Sequence, residues 1–337
     1  MKTSTKRTLM AAVICILAGL LVLFCTAVSV GFDLRKINTV TFDKKTTAVT
    51  ERFDSMKISG FDSNVTFVLS DNDETTVTSF DSDGITTDIT VKNGTLLITR
   101  EDNRPWYEHI SISFSSGNDG ITISLPEKEY KTLNVTTLSG DITLPDGLCA
   151  ERIRLESTSG SLRCQADIIE GSQPGSEDDG EETFNLWLKT VSGDVTVHNA
   201  ITPLLKIDTT SGDISVSGGY IEYSAKIEST SGEIELSEMS GAMGIAVNTT
   251  SGEIELENLK ATRLYLRSVS GDIGFEDCDA AEIEIKTNSG DVDGAFLTGK
   301  IYNPSTKSGN VRVPASDPEG GTCTVTTTSG NITIKES

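Results

Sequence analysis

Residues 209–256 read TTSGDISVSGGYIEYSAKIESTSGEIELSEMSGAMGIAVNTTSGEIEL, three passes through one pattern. Each pass carries Ser-Gly followed by an acid, an apolar, a polar and an apolar residue. Outward from this stretch the pattern recurs as LSGDITL, TSGSLRC, VSGDVTV, TSGDISV, TSGEIEL, TSGEIEL, VSGDIGF, NSGDVDG, KSGNVRV and TSGNITI. The ten glycines are Gly140, Gly160, Gly193, Gly212, Gly232, Gly252, Gly271, Gly290, Gly309 and Gly330, at steps of 19–21 residues with one step of 33. The long step holds residues 165–182, QADIIEGSQPGSEDDGEE, with seven carboxylates and no base, which reads as an acidic loop inserted in one repeat.

Alignment on the glycines shows what the repeat is for. Position +2 is apolar in every copy (Ile142, Leu162, Val195, Ile214, Ile234, Ile254, Ile273, Val292, Val311, Ile332), and +4 is apolar in nearly all. Positions −7 and −5 are apolar in most copies, as in Leu133/Val135, Leu205/Ile207 and Leu264/Leu266. Period-2 alternation on both sides of the glycine means two strands, each with one buried face. The inward parity switches from odd to even at the glycine, so a bend is expected there, with glycine supplying unusual backbone angles.

Two short strands and a turn every 19–20 residues predict an all-β, single-chain parallel β-solenoid of about ten coils, each stacked on the last. At about 4.8 Å per coil the array is roughly 48 Å long. Position −3 is Ser or Thr and −1 is Ser in every copy, which predicts ladders of hydroxyls bonded to neighbouring backbone. The regular coils occupy 133–335. Residues 51–132 alternate less regularly and read as irregular N-terminal coils that cap the stack, with Asn93-Gly94 as a hairpin turn. The chain stops three residues past Ile334, so its last strand is expected to present an open edge.

The 337 residues are 36% hydrophobic and only 6% aromatic, with 50 Asp+Glu against 28 Lys+Arg and a net charge of −22. Lys2, Lys6 and Arg7 lie before residue 9, so the part after residue 30 carries −25. Such a body repels phosphate backbones, which excludes nucleic acid as a partner. Between Thr8 and Phe32 there is no charge, and Leu9–Val30 reads LMAAVICILAGLLVLFCTAVSV. About 22 residues at 1.5 Å span roughly 33 Å, enough for a bilayer core of about 30 Å. Residues 1–8 are then a short cytoplasmic tail, 9–30 a single transmembrane helix and 31–50 a linker, with the acidic body outside the cell. A cleaved signal peptide is the competing reading, with Ala27 and Ser29 as small residues at the cleavage site.

No catalytic, cofactor-binding or metal site is assigned. His109 and His198 are 89 residues apart, no cysteines form a CxxC pair, and Cys164 fills an apolar +4 slot. The acids recur in register, as repeat residues do, whereas catalysis requires a constellation that does not repeat. One feature could bind something. Position +1 gives Asp141, Asp194, Asp213, Glu233, Glu253, Asp272 and Asp291, with Glu235 and Glu255 at +3. Each Asp is expected to bond its own turn. Weak bridging of the row by Ca²⁺ or Mg²⁺ is the sharper expectation.

KISGFDSNVTFVLSD at 57–71, GTLLI at 94–98, ISLPEKEYKTLNVTTLSGDITL at 123–144 and the serial SG-[DEN]-[IV] copies together resemble a family of bacterial envelope proteins with β-strand repeats, grouped as adhesins. The resemblance covers about 51–335. It implies a β-solenoid outside the cell, contacting wall or host glycans or envelope proteins, with partnership in envelope-stress sensing as the alternative. A polysaccharide-active β-helix enzyme ranks third. One late coil departs from the pattern, with Tyr302 and Pro304 in place of the apolar pair, and strand pairing is expected to break there.

Overall fold

The computed structural model describes residues 43–82, 84–103, 120–169, 175–176 and 182–337, with five isolated helical positions, Ala18, Gly19, Leu21, Phe24 and Val28. The tail 1–8, the rest of the 9–30 span, linker residues 31–42, His109 and parts of the acidic insertion lie outside the described residues. Among the described residues, no helix is long and apolar enough to cross a membrane. Residues 44–80, 87–101 and 120–337 form one compact unit. In the second, small unit, Ser82 and Ile85 form an antiparallel bridge and the Asn103 amide donates to Gly84 O at 2.7 Å.

The large unit is a stack of parallel coils. Ile214, Ile234, Ile254 and Ile273 lie in one row, and Val216, Leu236, Leu256 and Phe275 in the next. Ala225, Ile245, Leu264 and Ile283 line up on another wall, as do Ile227, Val247, Leu266 and Ile285. All of these side chains are buried in one continuous core. Each large aliphatic side chain so buried contributes about 1.5–3 kcal/mol, and no coil could gain this without its neighbours.

A coil has three inward walls, not the two strands expected. A second corner follows the +4 residue, where Asn199, Glu238, Asn258 and Asp277 take positive φ of 53, 57, 49 and 52°. Beyond it Ala200, Met239, Leu259 and Cys278 turn inward and are buried. This wall contributes so few inward residues per coil that alternation alone does not reveal it. Within the expected linker, Asp43–Val49 is a strand paired with Thr75–Asp81. The Asn93-Gly94 turn is present, both residues having positive φ (51 and 76°), the type I′ geometry.

The repeat glycines serve a different purpose from the one expected. Of the ten, only Gly232 has a left-handed φ, at 141°. The others are glycine because stacked corners touch backbone to backbone. A Cβ placed on Gly252 would fall on the carbonyl oxygen of Gly232, and one on Gly271 on that of Gly252, closer than real Cβ atoms come to any atom.

Spatial order departs from chain order at both ends. The coil of Ser55–Phe61 and Val65–Ser70 does not start the stack. It lies between Thr95–Asp102 with Ile121–Pro126 on one side and Glu129–Thr137 with Ile142–Leu144 on the other. At the far end Gly321–Thr327 pairs with both Glu282–Lys286 and Lys300–Thr306, and Ile332–Glu336 pairs with both Val292–Phe296 and Val311–Arg312. The last coil in the chain is therefore second from the end in space, and the expected open edge at Ile334 does not exist. The true outer strand is Lys300–Thr306, whose register with Gly321–Thr327 runs unbroken through Pro304↔Val325. Pairing does not break at Pro304, because an edge strand needs no donor on its outward side. The chain that follows folds back over this edge. The Tyr302 amide donates to Ser316 Oγ at 3.0 Å and the Asp317 amide to Lys300 O at 3.0 Å. Where the chain crosses to the outer coil, the buried ammonium of Lys300 pairs with Asp279 and donates to Thr298 Oγ1 at 2.6 Å.

Two glycines separate close approach from simple flexibility. Gly252→Ala should lower stability by about 2–4 kcal/mol, an overpacking cost at the high end because rigid backbone is in the way. A Cβ on Gly244 meets nothing within 4 Å, so Gly244→Ala should be neutral or stabilising by up to about 1 kcal/mol. Urea unfolding of the two variants beside the parent measures this, and equal losses would overturn the assignment.

Candidate functional site

The Ser-Gly corner gathers every exposed polar row singled out in the sequence. Its inner lining is the −3 hydroxyl. Ser268 Oγ accepts the Gly271 amide at 2.8 Å and donates to Gly252 O of the preceding coil at 3.5 Å. Thr190 repeats this with Gly193 N and Gly160 O, both at 3.1 Å. At Thr209 and Ser229 the hydroxyl finds no partner, and there the ladder is interrupted. The −1 serine clamps the outer side. The Ser251 amide and Oγ both donate to Thr230 O, at 3.0 and 3.2 Å, and Ser270 does the same to Thr250 O. These serines thus bond neighbouring backbone, as expected of the hydroxyl rows.

The +1 row is brought together as a continuous exposed line. In stack order it reads Asn64, Asp141, Ser161, Asp194, Asp213, Glu233, Glu253, Asp272, Asp291, Asn331, Asn310. The aspartates do not bond their own turns. Asp213 Oδ1 accepts the Glu233 amide of the next coil at 2.9 Å, Asp194 the Asp213 amide at 3.1 Å, and Asp272 the Asp291 amide at 2.7 Å. Asn64 and Asn331 use their amide oxygens in the same way, on Asp141 N and Asn310 N. The reason is length. The parallel ladder already commits the +1 carbonyl to the +2 amide of the preceding coil, as in Ile214 N to Glu233 O at 2.9 Å. The remaining +1 amide points along the stack, within reach of a one-carbon side chain on the coil before it.

Glu253 stands in the middle of this row with Glu255 beside it at +3, and Glu233 and Glu235 are their counterparts on the preceding coil. Partial burial, and then the negative charge of Glu253, Glu233 and Glu235, raise the Glu255 carboxyl above its usual value. Among the described residues no group of three or more His, Cys, Asp or Glu side chains is placed to hold a metal ion. His198 lies on this wall and shares a hydrogen bond with Ser217. Cys164, Cys278 and Cys323 are buried, and burial pushes their thiols up to about 12, 11 and 12. Such burial disfavours the thiolate form.

One cluster escaped the sequence reading. On the outside of another wall, Trp187 is sandwiched between the Arg154 guanidinium, 3.9 Å from its ring centroid, and the Lys206 ammonium at 4.7 Å. Its indole N–H donates to Asp208 at 3.0 Å, and Glu156 pairs with Arg154 at 2.6 Å. Arg154, Trp187 and Lys206 all occupy position −6, a recurrence visible once outward positions are aligned as carefully as inward ones. Both faces of the indole are covered, so this is a cation–π stack along the wall and not an open stacking platform.

The carboxylates supply two expected outcomes. Asp213→Asn keeps the acceptor oxygen, as Asn64 does naturally, and should leave stability within about 0.5 kcal/mol. Asp213→Ala removes it and should cost about 1–2 kcal/mol in urea unfolding. For Glu255 the folded carboxyl holds its proton more tightly than the unfolded one, so this group disfavours folding as pH rises through the carboxylate range. Glu255→Gln should therefore raise the unfolding midpoint at pH 7, and its advantage should vanish below pH about 4, where both states are protonated.

The family described as Toastrack DUF4097 matches this chain over residues 53–246 and 241–337. No curated protein matches it. Among solved structures, a "putative lipid binding protein" of Parabacteroides distasonis is 20% identical, covering 75% of this chain and 96% of its own, with a TM-score of 0.47. A "putative adhesin" of the same organism is 13% identical over 76% and 98%, at 0.41, and one of Bacteroides fragilis is 14% identical over 88% and 97%, at 0.37.

Proposed function

The chain belongs to the Toastrack DUF4097 family, and we propose that it is a non-catalytic, membrane-anchored surface protein whose coil stack engages envelope or cell-surface polymers outside the cell. The observation that carries this reading is the fate of the corner side chains. Serines and aspartates, the types that hydrolytic chemistry would draw on, are committed coil after coil to neighbouring backbone. What they leave outward is a long, regular polar surface, suited to repeated weak contacts along a polymer. The 25 uncharged residues from Thr8 to Phe32 and the −25 charge beyond them support an anchor at Leu9–Val30 with the body outside. Divalent cations drawn weakly to the +1 row belong to the same reading, as mediators of contact with anionic wall polymer.

Protease added to intact cells should remove the body and leave a membrane stub. A body that stays protected, or is released without protease, overturns the anchored topology. Residues 31–337, purified and presented to wall glycans, host glycans and envelope proteins, should retain a glycan or bind cells. Retention of envelope proteins alone, with a stress phenotype on deletion and no adhesion defect, would favour a sensory partner instead.

A further inference from the structure

A solenoid built in chain order has a weakness at each end. Its terminal coil has one neighbour, so tension on the terminus peels it away through a single ladder, and the next coil then becomes terminal. This chain avoids that arrangement twice. Its first coil, Ser55–Phe61 and Val65–Ser70, has paired strands on both sides, and so has its last, Gly321–Thr327 and Ile332–Glu336. We propose that these two intercalated coils are latches that let the stack carry tension between its termini, a mechanical role that goes beyond the surface reading above and does not depend on it.

The last coil is held by more than its two ladders. Ile332 and Ile334 are buried, as is Val325 on the neighbouring wall. Thr327 Oγ1 donates inward to Gly290 O at 3.2 Å, while Thr306 Oγ1 of the outer coil donates to Gly330 O at 3.0 Å. Asn331 is bonded in both directions. Its amide nitrogen donates to Asp291 Oδ2 at 3.2 Å, and its Oδ1 accepts the Asn310 amide at 3.0 Å.

The coils that do end the stack are covered by their own chain. Thr75–Asp81 runs antiparallel to Ile121–Pro126, and Ser316 with Asp317 covers Lys300–Thr306. Force applied at Ser337 first meets Lys335 and Glu336, paired only with Ala295 and Phe296, and then reaches Ile332 and Thr333, where two ladders must break at once. The outer coil, which could peel through one ladder, is reached only through the chain on its far side. On the N-terminal side the chain first meets Asp43–Val49, paired with Thr75–Asp81, and then the intercalated coil, where again two ladders must break at once.

Hydrogen exchange on the full-length chain tests the latch without altering it. Amides of Ile332 and Thr333, which lie between two ladders, should exchange within about tenfold of those of Ile254–Glu257 in the middle of the stack, and more slowly than those of Lys300–Thr306. Fraying that runs from Ser337 through this pair, with Ile332 and Thr333 exchanging faster than Lys300–Thr306, overturns the proposal. Pulled through its two termini, the full-length chain should hold its stack until one rupture releases many coils together. Stepwise lengthening by about 70 Å, the extended length of about 20 residues, starting at either end and at lower force, also overturns it. Ile332→Ala, which thins one buried contact without removing a ladder, should lower the rupture force and speed exchange first at Ile332–Glu336. If it leaves both unchanged, the last coil is not a latch.

Discussion

The contact on which everything else rests is the approach of one glycine backbone to the next at the Ser-Gly corner. A Cβ there would overlap the carbonyl oxygen of the preceding coil, so glycine is what allows successive corners to lie at the sheet repeat of about 4.8 Å. With that distance set, the −3 hydroxyl can reach both its own glycine amide and the glycine carbonyl of the coil before it, and the −1 serine can double its amide bond with an Oγ bond. The core rows follow from the same spacing, since walls that begin at aligned corners carry like residues over like residues.

That register has an electrostatic consequence. Carboxylates at +1 are stacked as strictly as isoleucines at +2, and like charges about 4.8 Å apart repel by roughly 1 kcal/mol per pair even in a water-like medium. Aspartate offsets this with a charge-assisted bond to the next coil's amide, as Asp194, Asp213 and Asp272 do. Glu233 and Glu253, with Glu235 and Glu255 beside them at +3, concentrate charge in the middle of the row, and there the raised Glu255 carboxyl is found.

What could be read in the sequence was whatever repeats locally. Ten glycines with alternating apolar flanks give the parallel stack, its inward faces and its hydroxyl ladders, because each depends only on residues within one coil. Three features depended on something else. The third wall turns on single αL residues such as Asn199 and Asn258, too few per coil to make a period. The purpose of the glycines was misjudged because a bend and a close approach both call for glycine, and only the neighbouring coil distinguishes them. Coil order was hidden because every coil offers the same backbone edge, so 321–337 fits on either side of its predecessor. The clue lay in that predecessor, where Pro304, Pro314 and Pro318 mark chain unsuited to a position between two ladders. The candidate site was legible as a row of residues. The direction of its hydrogen bonds was not, because that depends on which amide the ladder leaves over.

A lattice of identical coils also limits how such a protein can recognise anything. A consensus position presents the same group in coil after coil, and that builds avidity along a polymer without discriminating one partner from another. Selectivity has to come from positions that break the repeat. In this chain they are few and placed apart. The −6 row is interrupted by Trp187, held flat between Arg154 and Lys206. The +3 and +4 rows lose their side chains at Gly274 and Gly294, where Glu255, Phe275, Asp293 and Lys335 border a hollow. A ligand that distinguishes this stack from another of the same fold gains that discrimination at positions of this kind, because the consensus surface only repeats the corner that every coil needs in order to stack.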